Sequence, residues 1–297
     1  MNLQANGIAI EVDDQGPRDG DPLLLITGLG LQLPAWPPEL VDALVARGHR
    51  VIRMDNRDVG LSQPFDQLGT PNLVWAMLRH TLRLPVRSGY SLQDMANDSL
   101  GVLDALGIAQ AHVCGLSMGG MIAQRLAALQ PQRVKSLTLM MTSSGLRSLP
   151  GPKPEVRRAV LSRPKSNSVM DRVNHVDGVY TAISSPRNRP EPVRQRERIE
   201  LTVRRSWRPQ GTARQLMAIV ADGDRSALLG RIQAPTRIIH GQDDPLVPVP
   251  AAHDLAAKIT GAVLDIVPNM GHDLPLPLLP RLAQAIADNA ARAGVAR

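Results

Sequence analysis

Short apolar runs recur along the chain, and each one ends at a turn residue before a helix-like pattern begins. Runs of this length, rich in Val, Ile and Leu, are typical of strands that are buried on both faces. The pattern predicts strands at 23–27, 50–55, 111–114, 136–141, 236–240 and 263–267. Apolar residues at helical spacing between them predict helices at 39–46, 91–106, 118–129 and 278–292. This alternation indicates an α/β fold with a mostly parallel sheet.

The alternation breaks between about residue 146 and residue 228, where proline is frequent and no strand-like run occurs. Helical patterns are present there at 155–161, 171–183, 192–206 and 212–221, and the strand pattern resumes after Ala234. A helical excursion between two strands of one sheet indicates an insertion, since the sheet continues on both sides of it. We therefore expect a core of residues 1–145 and 229–297 and a helical cap at 146–228.

Composition narrows the class of protein. A hydrophobic share of 43% and a charged share of 21% are close to globular averages, which excludes a disordered or fibrous chain. The single cysteine, Cys114, excludes an internal disulfide and a CxxC metal site. The N-terminus shows no secretory signal pattern, and no run reaches the roughly 18 apolar residues of a membrane span. We expect a soluble, cytoplasmic protein with no membrane partner.

The net charge of +7 is concentrated in the expected cap. Residues 147–214 carry 16 Lys and Arg against 6 Asp and Glu, while the rest of the chain carries 18 against 21. This segment has only Tyr180 and Trp207 for stacking on bases and matches no common nucleic-acid-binding motif. We therefore expect an Arg-rich helical surface and no nucleic-acid partner, with attraction of an anionic substrate as the alternative.

A G-x-S-x-G motif occupies residues 115–119, directly after a predicted strand and directly before a predicted helix. A serine in this position lies on a sharp strand-to-helix turn, where its hydroxyl is exposed near the positive end of the helix. The glycines on either side leave room for that turn. The pattern predicts that Ser117 is a catalytic nucleophile.

A nucleophilic serine needs a base, and the base needs an orienting carboxylate. With this motif the two partners follow in the order acid and then histidine. His272 is the last histidine of the chain and follows the last predicted strand, so we expect it to be the base. The acid is Asp244 or Asp243 after the strand at 236–240; we favour Asp244, because Pro245 stiffens the turn there.

An oxyanion hole requires two backbone N–H groups near the serine. One donor is expected from Met118, the residue after the nucleophile. The other is expected from the glycine-rich turn after the first predicted strand, where we favour Leu29, with Gly30 as the alternative. The same turn, through Gly28, Gly30 and Leu31, is expected to line a largely hydrophobic substrate pocket.

These motifs resemble those of the α/β-hydrolases, specifically small capped esterases of the aclacinomycin methylesterase-like group and, less closely, cofactor-free haloperoxidases. The resemblance covers about residues 7–145 and 229–291. The matching segments are 26–30 with Trp36 downstream, 55–62, 115–120, Asp244-Pro245 and Met270-Gly271-His272. Many relatives carry histidine where Thr27 stands, and we expect the backbone donor to survive that change. The segment at 55–62 is expected to be structural, with Arg57 and Asp58 stabilising a turn near the site.

The resemblance implies an eight-stranded sheet, largely parallel, with one antiparallel pair near the N-terminus. It also implies hydrolysis of a small-molecule carboxylic ester through an acyl-enzyme, without metal or cofactor. Dehalogenation and epoxide hydrolysis need a carboxylate at the nucleophile position, so Ser117 excludes them. Thioester hydrolysis, carbon–carbon bond hydrolysis and cofactor-free perhydrolysis use the same triad and stay open. A ligand-sensing protein that keeps a slow triad is the alternative outside enzyme chemistry.

Overall fold

Eight strands form one sheet in the computed structural model, which describes residues 1–295. The strands are β1 (Asn2–Ala5), β2 (Ile8–Gln15), β3 (Asp21–Ile26), β4 (His49–Met54), β5 (Ala111–Leu116), β6 (Val134–Met140), β7 (Thr236–Gly241) and β8 (Val263–Val267). Their order across the sheet is β1-β2-β4-β3-β5-β6-β7-β8.

The sheet is parallel from β4 to β8, and only its N-terminal edge differs. There, β2 runs antiparallel both to β1 and to β4, which makes two antiparallel pairings instead of the one that the resemblance implies. The carboxyl ends of β3, β5, β6, β7 and β8 therefore lie along one edge. Open α/β sheets bind ligands at this edge.

Helices cover both faces of the sheet and fill the segment between β6 and β7. They are α1 (Pro38–Val45), α2 (Leu73–Thr81), α3 (Leu92–Ala105), α4 (Met118–Leu129), α5 (Pro154–Leu161), α6 (Val169–Ile183), α7 (Pro192–Arg205), α8 (Pro209–Asp222), α9 (Ser226–Leu229), α10 (Pro250–Lys258) and α11 (Leu279–Val295). Across residues 1–295, no helix combines the length and the apolar character needed to cross a bilayer.

The core lies in two layers because side chains alternate along the buried strands. On β3, Leu24 and Ile26 pack in the layer that contains α3 and α4. Leu23 and Leu25 of the same strand point to the other face and pack with α1 and α11. Both faces of β3 are therefore buried, which explains its continuous apolar run and fits its place between β4 and β5.

Helices α5 to α9 all fall between β6 and β7, where the sequence shows no strand pattern. Helices α6 and α7 share a small apolar cluster of their own, formed by Val173, Ile199 and Val203. Helix α8 instead packs against the core. Within this segment, α6 and α7 therefore pack on each other, whereas α8 contributes Ala218 to the main core.

Candidate active site

Ser117 links the last residue of β5 to the first residue of α4 and has a backbone conformation that non-glycine residues rarely adopt. Its φ is 54° and its ψ is −117°. Such a conformation costs on the order of 1–3 kcal/mol and persists only where neighbours hold it. Here the Ser117 N–H donates to Met140 O at 2.8 Å, and the Thr142 hydroxyl donates to Ser117 O at 2.7 Å. The strained turn is thus held by the last residue of β6, the adjacent strand, and by Thr142, two residues after it.

The two motif glycines are required by contact distances. A Cβ on Gly115 would lie 2.3 Å from the Gly119 carbonyl oxygen, and a Cβ on Gly119 would lie 2.1 Å from the Ile26 carbonyl oxygen. Neither position can carry a side chain, since real Cβ contacts are not this short. The close approach of Gly119 to β3 also brings the turn after β3 to the serine. A Cβ on Gly28 would lie 3.2 Å from Ser117 Cβ.

The structure brings His272 and Asp244 into direct contact. His272 Nδ1 donates to Asp244 Oδ2 at 2.7 Å, and both side chains are buried. The second oxygen of Asp244, Oδ1, accepts the backbone N–H groups of Leu246 and Val247 at 2.9 and 2.8 Å. Because Nδ1 carries the donated hydrogen, the His272 Nε2 atom is the ring nitrogen that can accept a proton.

The neighbouring Asp243 has a different partner. It accepts a hydrogen bond from the Ser185 hydroxyl at 2.6 Å, and its own N–H donates to Met270 O at 2.9 Å. Of the two carboxylates that the sequence leaves open, Asp244 is therefore the one that contacts the imidazole of His272, and Asp243 joins the acid loop to the segment after α6.

A second histidine supports the acid loop. His240 is the residue before the end of β7, is fully buried, and donates from Nε2 to Val247 O at 2.7 Å. Its Nε2 lies 3.5 Å from Asp244 Oδ2. Burial lowers the pKa of His240, which keeps the ring neutral. The structure thus gives His240 a supporting position at the end of its strand.

Ser117 and His272 reach the same edge of the sheet from different strands. β6 separates β5 from β7, with Met140 paired to both Leu116 and Ile239. His272 follows β8, one strand beyond β7, so its strand lies three strand spacings, about 14 Å, from β5. Within residues 1–295, no hydrogen bond joins Ser117 Oγ to His272. Such bonds are often long in free enzymes and shorten when substrate binds.

The turn after β3 has two backbone N–H groups that already have acceptors. The Gly30 N–H donates to the Gln215 Oε1 atom of α8 at 2.9 Å, and Leu31 N–H donates to Gly28 O at 3.2 Å. For the Leu29 N–H, no acceptor occurs among residues 1–295. Of the two donors that the sequence leaves open, Gly30 is therefore engaged and Leu29 is available.

The first N–H of α4 belongs to Met118, whose side chain is fully buried in the core. The Met118 N–H can act as a hydrogen-bond donor at the site, but the buried Met118 side chain cannot line a pocket. Gly30 is half-buried and faces α8, since a Cβ there would lie 2.8 Å from Thr212 Cγ2. Of the pocket candidates on this turn, Gly28 lies beside Ser117, since a Cβ there would lie 3.2 Å from Ser117 Cβ and 3.4 Å from Leu31 Cδ1.

Thr27 contributes to the turn in place of the histidine that many relatives carry. Its hydroxyl donates to Leu31 O at 3.1 Å. The side-chain amide of Asn56 donates to the Thr27 carbonyl oxygen at 3.1 Å and lies 3.2 Å from the Thr27 hydroxyl. Asn56, which follows β4, therefore fixes the start of the turn, a role that sequence reasoning misses.

The segment at 55–62 takes part in three ion pairs whose carboxylates are buried, and two of these pairs reach the expected cap. Arg57 pairs with Asp98 of α3 at 2.6 Å. Arg205, at the end of α7, pairs with Asp55 at 2.7 Å. Burial raises the pKa of Asp55 and outweighs the hydrogen bonds that favour its charged form.

Arg214 of α8 binds both oxygens of Asp58, with N–O distances of 2.6 and 2.7 Å. Burial acts to raise the pKa of Asp58, but the hydrogen bonds from Arg214 and its neighbours outweigh it, so the pKa lies below its usual value. Two arginines of the basic segment therefore bind core carboxylates instead of forming a solvated surface.

Asp273 is a buried carboxyl group directly after His272. Burial raises its pKa to about 6. In the part of the chain that the structure describes, no three His, Cys, Asp or Glu side chains converge in the manner of metal ligands.

A second Ser–His–Asp contact lies at the opposite edge of the sheet. Ser136 Oγ and His112 Nδ1 are 2.8 Å apart, and His112 Nε2 is 2.8 Å from Asp21 Oδ2. These residues stand at the beginnings of β6, β5 and β3. Ser136 is only 2% exposed and lies within a regular strand, so no substrate carbonyl can reach its oxygen.

The chain is similar in sequence to several known hydrolases. The family profile of the α/β-hydrolase fold matches residues 21–276. A rhodomycin D methylesterase of Streptomyces sp. (strain C5) is 31% identical, with 91% of this chain and 90% of the relative covered. A 2-hydroxymuconate semialdehyde hydrolase of Pseudomonas sp. (strain CF600) is 29% identical over 98% of this chain and 94% of its own.

Among solved structures, an esterase from Exiguobacterium antarcticum superposes with a TM-score of 0.75 at 22% identity, covering 98% of this chain and 99% of its own. At this identity the likeness concerns the fold alone.

Proposed function

This chain belongs to the α/β-hydrolase fold family, and on that premise we propose that it is a serine-dependent carboxylic-ester hydrolase. One observation carries the proposal. The buried His272–Asp244 pair, with its 2.7 Å hydrogen bond, lies at the same sheet edge as the strained Ser117 turn. The 31% identical methylesterase supports an ester as the substrate class.

In the proposed reaction, Ser117 Oγ attacks the ester carbonyl carbon and His272 Nε2 takes the hydroxyl proton. Asp244 holds the ring and stabilises the imidazolium that forms. The Leu29 and Met118 N–H groups receive the developing negative oxygen, and each such donor is worth about 3–4 kcal/mol in related sites. His272 then gives the proton to the leaving alcohol, and the acyl group remains on Ser117.

Hydrolysis of the acyl-enzyme repeats the same steps with water as the nucleophile. His272 removes a proton from water, the hydroxide adds to the acyl carbonyl, and the proton returns to Ser117 Oγ as the acid leaves. Asp244 is suited to its role in both halves because its Oδ1 atom is held by two backbone N–H groups.

We also propose that residues 146–228 form a cap over a core of residues 1–145 and 229–297. Two contacts support this arrangement at the site. The His272 N–H donates to Ile183 O at 2.8 Å at the end of α6, and Thr212 of α8 covers Gly30. A cap in this position would shape the pocket and limit water near Ser117.

A carbon–carbon bond hydrolase is the second candidate, favoured by the 29% identical semialdehyde hydrolase. The two functions share the triad, and substrate preference separates them. A panel of nitrophenyl and methyl esters of varied acyl size should show sustained turnover if the ester proposal holds. Turnover confined to a vinylogous diketone, with no ester in the panel cleaved, would favour the alternative.

Ser117→Ala is the decisive variant, with Ser136→Ala as its matched control. Both remove a serine hydroxyl from a Ser–His–Asp group, but only Ser117 lies at the strained turn. We expect Ser117→Ala to abolish turnover and Ser136→Ala to retain it. Labelling by an organophosphonate should add one phosphonyl group, found by mass spectrometry on the Ser117 peptide. Turnover by Ser117→Ala, or a label elsewhere, would contradict the proposal.

A further inference from the structure

Gln215 joins two loops beside the proposed active site. It lies on α8, within the proposed cap, and its side chain is fully buried. Its Oε1 atom accepts the Gly30 N–H at 2.9 Å, and its Nε2 atom donates to the Arg57 carbonyl oxygen at 2.8 Å. From this geometry we infer that Gln215 is a positioning residue that fixes the turn carrying the Leu29 oxyanion donor. The inference rests on the proposed function.

The Gly30 N–H belongs to the peptide that follows Leu29, so its direction limits the direction of the Leu29 N–H. Each peptide is planar, and only the φ and ψ angles of Leu29 separate the two groups. Gly30 itself has a φ of 68°, a conformation that glycine adopts easily because it has no side chain. An acceptor aimed at the Gly30 N–H therefore sets the orientation of the whole turn.

The turn is held from two sides by two different parts of the chain. Asn56 of the core binds its first residue, Thr27, through hydrogen bonds of 3.1 and 3.2 Å. Gln215 binds its far end, and Thr212 packs against Gly30 one helical turn earlier on α8. Without Gln215, the core would still anchor the start of the turn, but Gly30 would have to find another acceptor.

This arrangement makes α8 part of the catalytic geometry. The ion pair between Arg214 and Asp58 keeps α8 on the core beside Gln215. If α8 moved away during substrate entry, the Gly30 N–H would lose its acceptor and the proposed oxyanion hole would lose its shape. The chemical step therefore requires α8 in this position.

Gln215→Met tests the inference, because methionine keeps the length of the side chain but makes neither hydrogen bond. Misplacement of a catalytic donor by about 1 Å can cost roughly 100-fold in rate. We expect kcat on a nitrophenyl ester to fall by about 10- to 100-fold, with KM nearly unchanged, because the turn acts on the transition state. Inactivation by an organophosphonate, which mimics that state, should slow by the same factor.

Gln215→Glu adds a pH readout that a purely structural role would not produce. A protonated glutamate can accept from Gly30 and donate to the Arg57 carbonyl, as glutamine does, whereas an ionised glutamate cannot donate. Burial favours the protonated form. Relative to the wild type, Gln215→Glu should therefore be most active at low pH and lose activity as pH rises.

Asn289→Ala is the control for loss of a buried amide. Asn289 is fully buried on α11 and donates to Leu137 O at 2.8 Å. We expect this variant to lose thermal stability but to keep kcat. Wild-type kcat in Gln215→Met, or a flat activity ratio for Gln215→Glu across pH, would overturn the inference. Failure of the proposed function is a separate result, since it requires turnover by Ser117→Ala.

Discussion

Removing Arg214 should weaken the attachment of α8 more than removing any exposed cap arginine. Arg214 and Asp58 are both buried and share two hydrogen bonds of 2.6 and 2.7 Å. A third Arg214 donor reaches the Gly69 carbonyl oxygen at 2.8 Å. Replacing Arg214 by methionine would leave the Asp58 carboxylate buried without its counter-charge.

The expected cost follows from what remains around Asp58. Breaking a buried ion pair by removal of one partner typically costs about 3–5 kcal/mol. Asp58 would still accept from the Tyr90 hydroxyl at 3.0 Å and the Phe65 N–H at 2.9 Å, so we expect the lower end of that range. For a chain of 297 residues, roughly 3 kcal/mol corresponds to a fall of about 5 °C in Tm.

The measurement is a double-mutant cycle followed by differential scanning calorimetry. Arg214→Met and Asp58→Asn should each lower Tm, and the double variant should lose much less than the sum of the two. Arg204→Met is the matched control, since Arg204 on α7 is exposed and, among residues 1–295, pairs only with Glu200. An exposed pair of this kind contributes about 0.5 kcal/mol or less.

The loss of stability in Arg214→Met should also become smaller as the pH falls. The pKa of Asp58 lies below its unfolded value, so the pair stabilises the fold above about pH 4 and is lost as pH falls through the folded-state pKa. The Tm difference between wild type and Arg214→Met should therefore persist from pH 8 to pH 5 and shrink in stronger acid. The reasoning is refuted if Arg214→Met loses no more than Arg204→Met, or if the two single effects simply add.

Two further variants test the acid loop and its surroundings. Asp244→Asn should lower kcat by roughly 10⁴-fold, as loss of the orienting carboxylate does in other triads, whereas Asp243→Asn should keep kcat within an order of magnitude; comparable losses in both would contradict the assignment. Asp273→Asn should raise Tm at pH 8 but not at pH 4, because burial raises the pKa of Asp273 to about 6 and its ionisation then costs the folded state up to roughly 3 kcal/mol. An equal Tm change at both pH values would count against that explanation.

Local signals in the sequence were sufficient where one short segment decides the structure. The apolar run before Gly115 predicts β5, and the motif places Ser117 at its end because strand, turn and helix are consecutive. The same holds for His272 after β8. Asp244 and Asp243 are adjacent, however, and both follow β7, so their spacing gives no basis for choosing the one that faces the ring.

Contacts between distant segments could not be predicted in the same way. Gln215 and Gly30 are 185 residues apart, and nothing in the pattern of either segment indicates that they meet. The many arginines of the cap predicted a solvated surface. The sequence does not show that two of them, Arg205 and Arg214, pair with the buried carboxylates of Asp55 and Asp58. Helix α2 was not predicted because several of its apolar side chains, such as Val74 and Trp75, are exposed and blur the helical pattern.

The contact of Asp21, His112 and Ser136 bears on how such enzymes are recognised from coordinates. A search template that scores only three side-chain types and their separations would accept this group, although it lies at the opposite edge of the sheet from the proposed catalytic group. The discriminating property is the main chain: one serine stands in a left-handed backbone conformation on a sharp bend, and the other in an ordinary extended strand. Adding that torsion angle to the template would remove this internal decoy.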